Sequence, residues 1–232
     1  MLINKGDFAK FLKVIRLKDE AENNEIILNF GENGLRAVGS SASKVVAVRG
    51  LLKVDTGNIG EVGIENIKLL QSCVGNLGEE IDLAKKDNKL ILKGDKVKIS
   101  YITQNPAYIK NKLNNDKFSF LLEATSDKEI KLSPEQVKKI VSYFNSIGSD
   151  TVVLYSQDGK LKLKTEKNEN ELVATIDTAV EEEFRISLPR VFIGILSLFD
   201  EGVSLKLKKE TPACIKVDND KYKFEVLVAR KK

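Results

Sequence analysis

The sequence predicts an α+β fold made of two duplicated domains, each of antiparallel sheet with two helices. Three observations predict it. An order of helix, strands, helix, strands occurs twice along the 232 residues. Each strand run alternates apolar and polar residues, the pattern of sheet with one buried face. Tight-turn signals join neighbouring strands, as antiparallel connections require.

The first helix is predicted from Phe8, Phe11, Leu12 and Ile15, spaced i, i+3, i+4, i+7 so that one face meets a core. Val137, Ile140, Val141 and Phe144 repeat that spacing in the second half. This second copy is bounded by Ser133 before Pro134 and by Gly148 after its last turn. Each helix leads into a hairpin pattern, "EIILNFGENGLRAV" and "TVVLYSQDGKLKLK", with Asn33-Gly34 and Asp158-Gly159 as the turns. A second pair of helices is expected in "IENIKLLQSCVGNLG" from Ile64 and "PRVFIGILSLFDEG" from Pro189, ending at Gly78 and Gly202. Their apolar sides are Ile67, Leu70, Cys73, Val74 and Leu77, and Phe192, Ile195, Leu196 and Phe199. Further strands follow each. The polar, Asn-rich stretch around "KNKLNNDK" suits a linker, which divides the chain into domains at 1–110 and 118–232 joined by 111–117.

Composition removes several function classes. The chain has no histidine, and its two cysteines, Cys73 and Cys214, lie far apart among apolar neighbours, the setting of buried free thiols. Histidine-based triads and the usual zinc sites are therefore excluded, and no metal, cofactor or catalytic residue is expected. "GENG" and "GKLKLK" lack the Gly-Lys-Ser/Thr of a phosphate-cradling loop and read as turns. No apolar run is long enough to cross a bilayer, so no membrane role and a cytoplasmic location are expected. Net charge is only +4, so any nucleic-acid contact depends on where the charge sits.

On the helices, the charge sits opposite the apolar faces. Lys10 and Lys13 on the first helix, and Lys138 and Lys139 on its counterpart, point away from the core, with Lys10 and Lys139 equivalent. Lys68 and Arg190 do the same on the other two helices, beside Ser72, Asn76, Gly194 and Ser197. Carboxylates gather instead in loops, at "DEAE" from Asp19, "GEE" to Glu80 and Glu181 to Glu183. Such a distribution suits either solvated helix faces or a phosphate-facing surface.

"GLRAVGSSASKVVAV", "FIGILSLFDEG", "PACIKV" and "YKFEVLVARKK" are the segments that carry a family likeness. In that order, and with the duplication, the chain resembles the DNA sliding clamps of the proliferating-cell-antigen type and their T4-type phage relatives, over essentially its whole length. The resemblance implies a ring, expected as a homotrimer, that encircles duplex DNA independently of sequence and tethers DNA polymerase after a clamp loader has placed it. It implies no enzymatic activity and a nucleoid-associated site of action, in the host cytoplasm if phage-encoded. It assigns Lys10, Lys13, Lys68, Lys138, Lys139 and Arg190 to the DNA-facing wall. It assigns Ser40, Lys44, Val45, Ala47, Val228, Ala229 and Arg230 to partner binding. It places the subunit interface on the strands "KVKISYI" and "ELVATIDT", at Val97, Ile99, Tyr101, Leu172, Ala174 and Ile176. Lys44 stands where cellular clamps often carry histidine or arginine, Ser41 where they often carry aspartate, and Ser40 and Ala47 where larger apolar residues line the pocket. These departures lean toward a phage-like or divergent clamp. Two other classes fit the residues less closely: an enzyme using the carboxylate runs, and a non-ring processivity or interaction protein with the same duplicated fold.

Overall fold

The computed structural model describes residues 1–17, 22–55, 57, 59–110, 112–125 and 128–231. It divides into two compact units. The first comprises the described residues from Met1 to Phe118 together with Asp218–Phe224; the second comprises those from Ser119 to Val217 and from Glu225 on. The acidic run at Asp19 and Glu20 lies outside the described residues.

In the first unit the elements are β1 (Leu2–Asn4), α1 (Lys5–Arg16), β2 (Ile26–Gly31), β3 (Gly34–Ser40), β4 (Val46–Leu52), β5 (Gly60–Ile64), α2 (Ile67–Gly75), β6 (Glu80–Lys86), β7 (Lys89–Lys93) and β8 (Lys98–Ile102). They build two antiparallel sheets, ordered β1-β6-β7-β8 and β5-β2-β3-β4. A helix α3 (Asn115–Glu123) then precedes β9 (Ile130–Leu132), α4 (Pro134–Ile147), β10 (Thr151–Gln157), β11 (Lys160–Lys167), β12 (Asn170–Ala179), β13 (Arg185–Pro189), α5 (Arg190–Leu196), β14 (Val203–Lys206), β15 (Ala213–Asp218) and β16 (Tyr222–Val228). Their orders are β9-β14-β15-β16 and β13-β10-β11-β12. Element by element and sheet by sheet, the second set reproduces the first. The duplication legible in the sequence is a duplication of topology.

The predicted helix faces are the buried ones. Phe8, Phe11, Leu12 and Ile15 of α1 are fully buried, and Phe11 meets Phe224 of the same unit at 5.9 Å between ring centroids. In α4, Val137, Ile140 and Phe144 are buried, while Val141, expected on the same face, is only partly so. Ser133 and Gln136 form a reciprocal capping box that spans Pro134, and Gly148 closes the helix in a left-handed conformation at φ 67°. Asp158 and Gly159, with φ of 55° and 69°, make the hairpin turn between β10 and β11.

Three boundaries differ from the sequence expectation. Ile64 belongs to β5, and α2 begins three residues later because Asn66 caps it by accepting from the Leu69 N–H at 2.9 Å. The helix ends at Gly75, capped by Asn76, rather than at Gly78. α5 stops at Leu196 rather than near Gly202, although Leu198 and Phe199 remain buried. The expected linker is partly helical: α3 starts at Asn115, where Asn114 accepts the Asp116 N–H at 2.8 Å, and Phe118 is buried.

Gly34 shows how tightly the first hairpin is built. Its φ is +118°, and an added Cβ would lie 2.2 Å from the Leu52 carbonyl oxygen across the β3–β4 pair. Gly34→Ala is therefore expected to destabilise the fold by at least about 2 kcal/mol, through backbone strain plus a clash that no rotamer relieves. A drop in the urea unfolding midpoint measures it; an unchanged midpoint would show that the turn tolerates a side chain.

Candidate nucleic-acid face and sheet edges

In the first unit α1 and α2 are joined by Arg16, whose Nη1 donates to Gln71 Oε1 at 2.8 Å while its guanidinium pairs with Glu22. Away from the core, Lys13 and Lys68 are exposed, and Lys10 is partly buried with its ammonium 5.8 Å from the centre of the Tyr222 ring. The one carboxylate in the first turn of α1, Asp7, accepts from Lys221 Nζ at 3.0 Å and from the Tyr222 hydroxyl at 2.8 Å. Those contacts pair the Asp7 carboxylate with a cation of its own.

The second unit repeats the arrangement with different groups. Lys138 and Lys139 are exposed on α4, and Arg190 is exposed at the start of α5, where its backbone N–H donates to the Asp150 carbonyl at 3.0 Å. Glu135, one turn before the two lysines, has its carboxyl held below its ordinary range, first by its own backbone N–H, then by the Ser133 hydroxyl, with Lys138 and Lys139 adding to the shift. All six cations named from the sequence thus stand on helices, five of them exposed. Cations spread over helix faces suit contact with a phosphate backbone.

The segments expected to bind partners are mixed. Ser40 and Ala47 face each other across β3 and β4, both partly exposed. Between them Lys44 is exposed at φ 57° and Val45 is partly exposed, on a turn held by Ser41, whose buried Oγ accepts the Val46 N–H at 3.1 Å. In the second unit Ala229 is partly exposed and Arg230 exposed, but Val228 is wholly buried, so its side chain serves the core and not a partner. Sequence reasoning missed α3. Phe118 is buried beneath the Arg49 guanidinium at 4.7 Å, Arg49 Nη1 donates to Asn115 Oδ1 at 3.2 Å, and Phe120 is 74% exposed. The signal was present as Phe118, Leu121 and Leu122 at helical spacing inside a segment whose polar composition suggests a linker.

The two strands assigned to subunit contact are both edges: β8 ends its sheet in the first unit and β12 ends its sheet in the second. The residues assigned on them, however, are mostly those whose side chains face inward. Tyr101 and Ile176 are buried, Ile99, Leu172 and Ala174 are partly so, and the Tyr101 hydroxyl donates to the Asn66 carbonyl at 3.0 Å. Burial raises the Tyr101 phenol above its ordinary pKa. Val97, exposed, lies just before β8. The outward side chains are the alternate set, Lys98, Ser100 and Ile102 on β8 and Glu171, Val173, Thr175 and Asp177 on β12. On a half-buried strand the apolar residues mark the core face rather than the edge.

Among the described residues no group of three or more His, Cys, Asp or Glu is placed to hold a metal ion, and no helix is long and apolar enough to cross a membrane. Both cysteines are free thiols as expected, but only Cys214 is buried, which pushes its thiol up to about 12, whereas Cys73 is partly exposed.

No protein-family model and no curated protein matches the chain. Solved structures do. The proliferating-cell nuclear antigen of A. fulgidus bound to the C-terminal region of FEN-1 is similar at a TM-score of 0.82 with 13% identity, covering 100% of this chain and 97% of that one. A chain of the PCNA2–PCNA3 complex of Sulfolobus tokodaii is similar at 0.79 with 13% identity, covering 100% and 99%. Proliferating cellular nuclear antigen of Entamoeba histolytica is similar at 0.78 with 16% identity, covering 99% and 96%. The chain has the fold of these clamps from end to end.

Proposed function

We propose that this chain, which carries the fold of the DNA sliding clamps, is itself a clamp subunit: copies join edge to edge into a ring that encloses duplex DNA and tethers a polymerase to it. The full-length likeness carries this reading. The duplicated units, each with an exposed cationic helix pair and, among the described residues, an edge strand that has no partner on its outer side, support it. The mechanism uses no bond-making chemistry. Helix lysines meet phosphates through long-range, direction-poor attraction, which holds the duplex without fixing a register and so permits sliding. Topological linkage, rather than affinity, supplies persistence. A homotrimer placed by a clamp loader is the assembly this reading takes from the family, with partners docking near Val45 and Ala47.

One neighbour is a complex of two different clamp chains. That observation favours a second reading, in which this chain contributes one subunit of a mixed ring.

Light scattering at micromolar concentration separates these readings: a single mass near three times 25.8 kDa is expected for a homotrimer. Protein loaded on a nicked circle should remain through gel filtration and leave when the circle is linearised. Equal retention on circular and linear DNA, or a monomeric mass for the chain alone and with any clamp partner, overturns the ring.

A further inference from the structure

We infer, resting on the ring reading just proposed, that β8 of one copy pairs antiparallel with β12 of another in one register, with Ser100 opposite Thr175, Ile102 opposite Val173 and Lys98 opposite Asp177. The backbone restricts the choices first. At the two ends of the β7–β8 pair, the Gly94 N–H donates to the Val97 carbonyl and the Thr103 N–H to the Asn88 carbonyl, both at 2.8 Å. Hydrogen-bonded pairs alternate along an antiparallel ladder, so Ile99 and Tyr101 bond to β7 while the N–H and C=O groups of Lys98, Ser100 and Ile102 point to the free edge. On β12, the two-residue turn at Asn168 and Glu169 closes on the Lys167–Asn170 pair. Leu172, Ala174 and Ile176 therefore bond to β11, and Glu171, Val173 and Thr175 offer their backbone groups outward.

Free groups must meet free groups, so allowed registers differ by steps of two residues. One step one way puts Ile102 against Thr175 and Ser100 against Asp177. One step the other way puts Ile102 against Glu171 and Ser100 against Val173. Only the register between them matches apolar with apolar, hydroxyl with hydroxyl and cation with anion. Ile102 is 70% exposed and Val173 52% exposed, on edges whose other outward side chains are charged or carry hydroxyls. The β11–β12 register breaks between Leu161 and Lys160, and the Asp177 carbonyl already accepts from Gln136 Nε2. The ladder thus ends at Thr175, and Asp177 contributes its carboxylate, which is 94% exposed and paired within its own chain with Lys160 at 3.4 Å. Lys98, for its part, stands directly across from Lys93, a like-charge pair that an incoming carboxylate relieves.

Among the described residues β8 and β12 each end their sheet with no strand beyond them, so a second copy of the chain is the partner that completes both.

Charge reversal tests the register. Lys98→Glu and Asp177→Lys should each weaken self-association by roughly 3- to 10-fold, and the double variant should return to within about 2-fold of the parent. Treating the unaltered protein with a carbodiimide should join Lys98 to Asp177 in the covalent dimer, read by mass spectrometry after digestion. A parent that is monomeric in light scattering overturns the ring reading itself. An oligomeric parent whose double variant stays as weak as the singles, or whose cross-link joins Lys98 to another carboxylate, overturns the register alone.

Discussion

Ser100→Pro is expected to convert the assembly to monomers while leaving each chain folded. Its N–H points to the free edge of β8, so proline removes a donor from the pairing between copies and none from the β7–β8 ladder. Ring closure multiplies the effect, because every interface carries the same lesion. The neighbouring change supplies the contrast. Ile99 pairs with Leu92 inside the sheet, so Ile99→Pro removes an internal bond and should lower the melting temperature of the chain by several degrees. Light scattering and a thermal melt by circular dichroism read the two variants together. A Ser100→Pro protein that keeps its oligomeric mass at low micromolar concentration would remove β8 from the interface. One that unfolds would show that the edge assignment of its N–H is inverted.

That pair of variants also shows where the sequence stopped being readable. Periodicity identified the cores of α1 and α4, and the caps Ser133, Pro134 and Gly148 fixed α4 to the residue, because these signals are local and each has a single physical cause. On β8 and β12 the alternation told which residues share a face. It could not tell which backbone groups face an edge, since that depends on turn length and on the neighbouring strand. α3 was hidden for a different reason: its Asn-rich approach reads as linker, and the cation that covers the Phe118 ring is Arg49, far away in sequence. The ion pair of Asp7 with Lys221 and its hydrogen bond from the Tyr222 hydroxyl span more than two hundred residues and have no local signature at all. The lysines of the helix faces were legible, because exposure opposite an apolar stripe follows from helix geometry alone.

Replacing Lys10, Lys13, Lys138 and Lys139 together with alanine should weaken binding to every DNA sequence alike and flatten its dependence on salt. Each phosphate that no longer meets a lysine lowers the slope of log affinity against log salt by up to about 0.9, because its counterion stays bound. The fall should be smaller than that for four fully neutralised phosphates, since a loosely held duplex meets only part of the wall at once. Lys10 also gives up its place over the Tyr222 ring, at a cost of about 0.5–1 kcal/mol to the fold. A slightly lower melting temperature is therefore expected, and Lys10→Ala alone should reproduce it. Oligomeric mass should stay that of the parent, because none of the four lies on β8 or β12. Fluorescence anisotropy with duplexes of unrelated sequence, across a salt series, measures slope and affinity together. If the quadruple variant keeps the parent's affinity and slope with its mass intact, these lysines are solvated surface and the DNA-facing wall must be sought elsewhere.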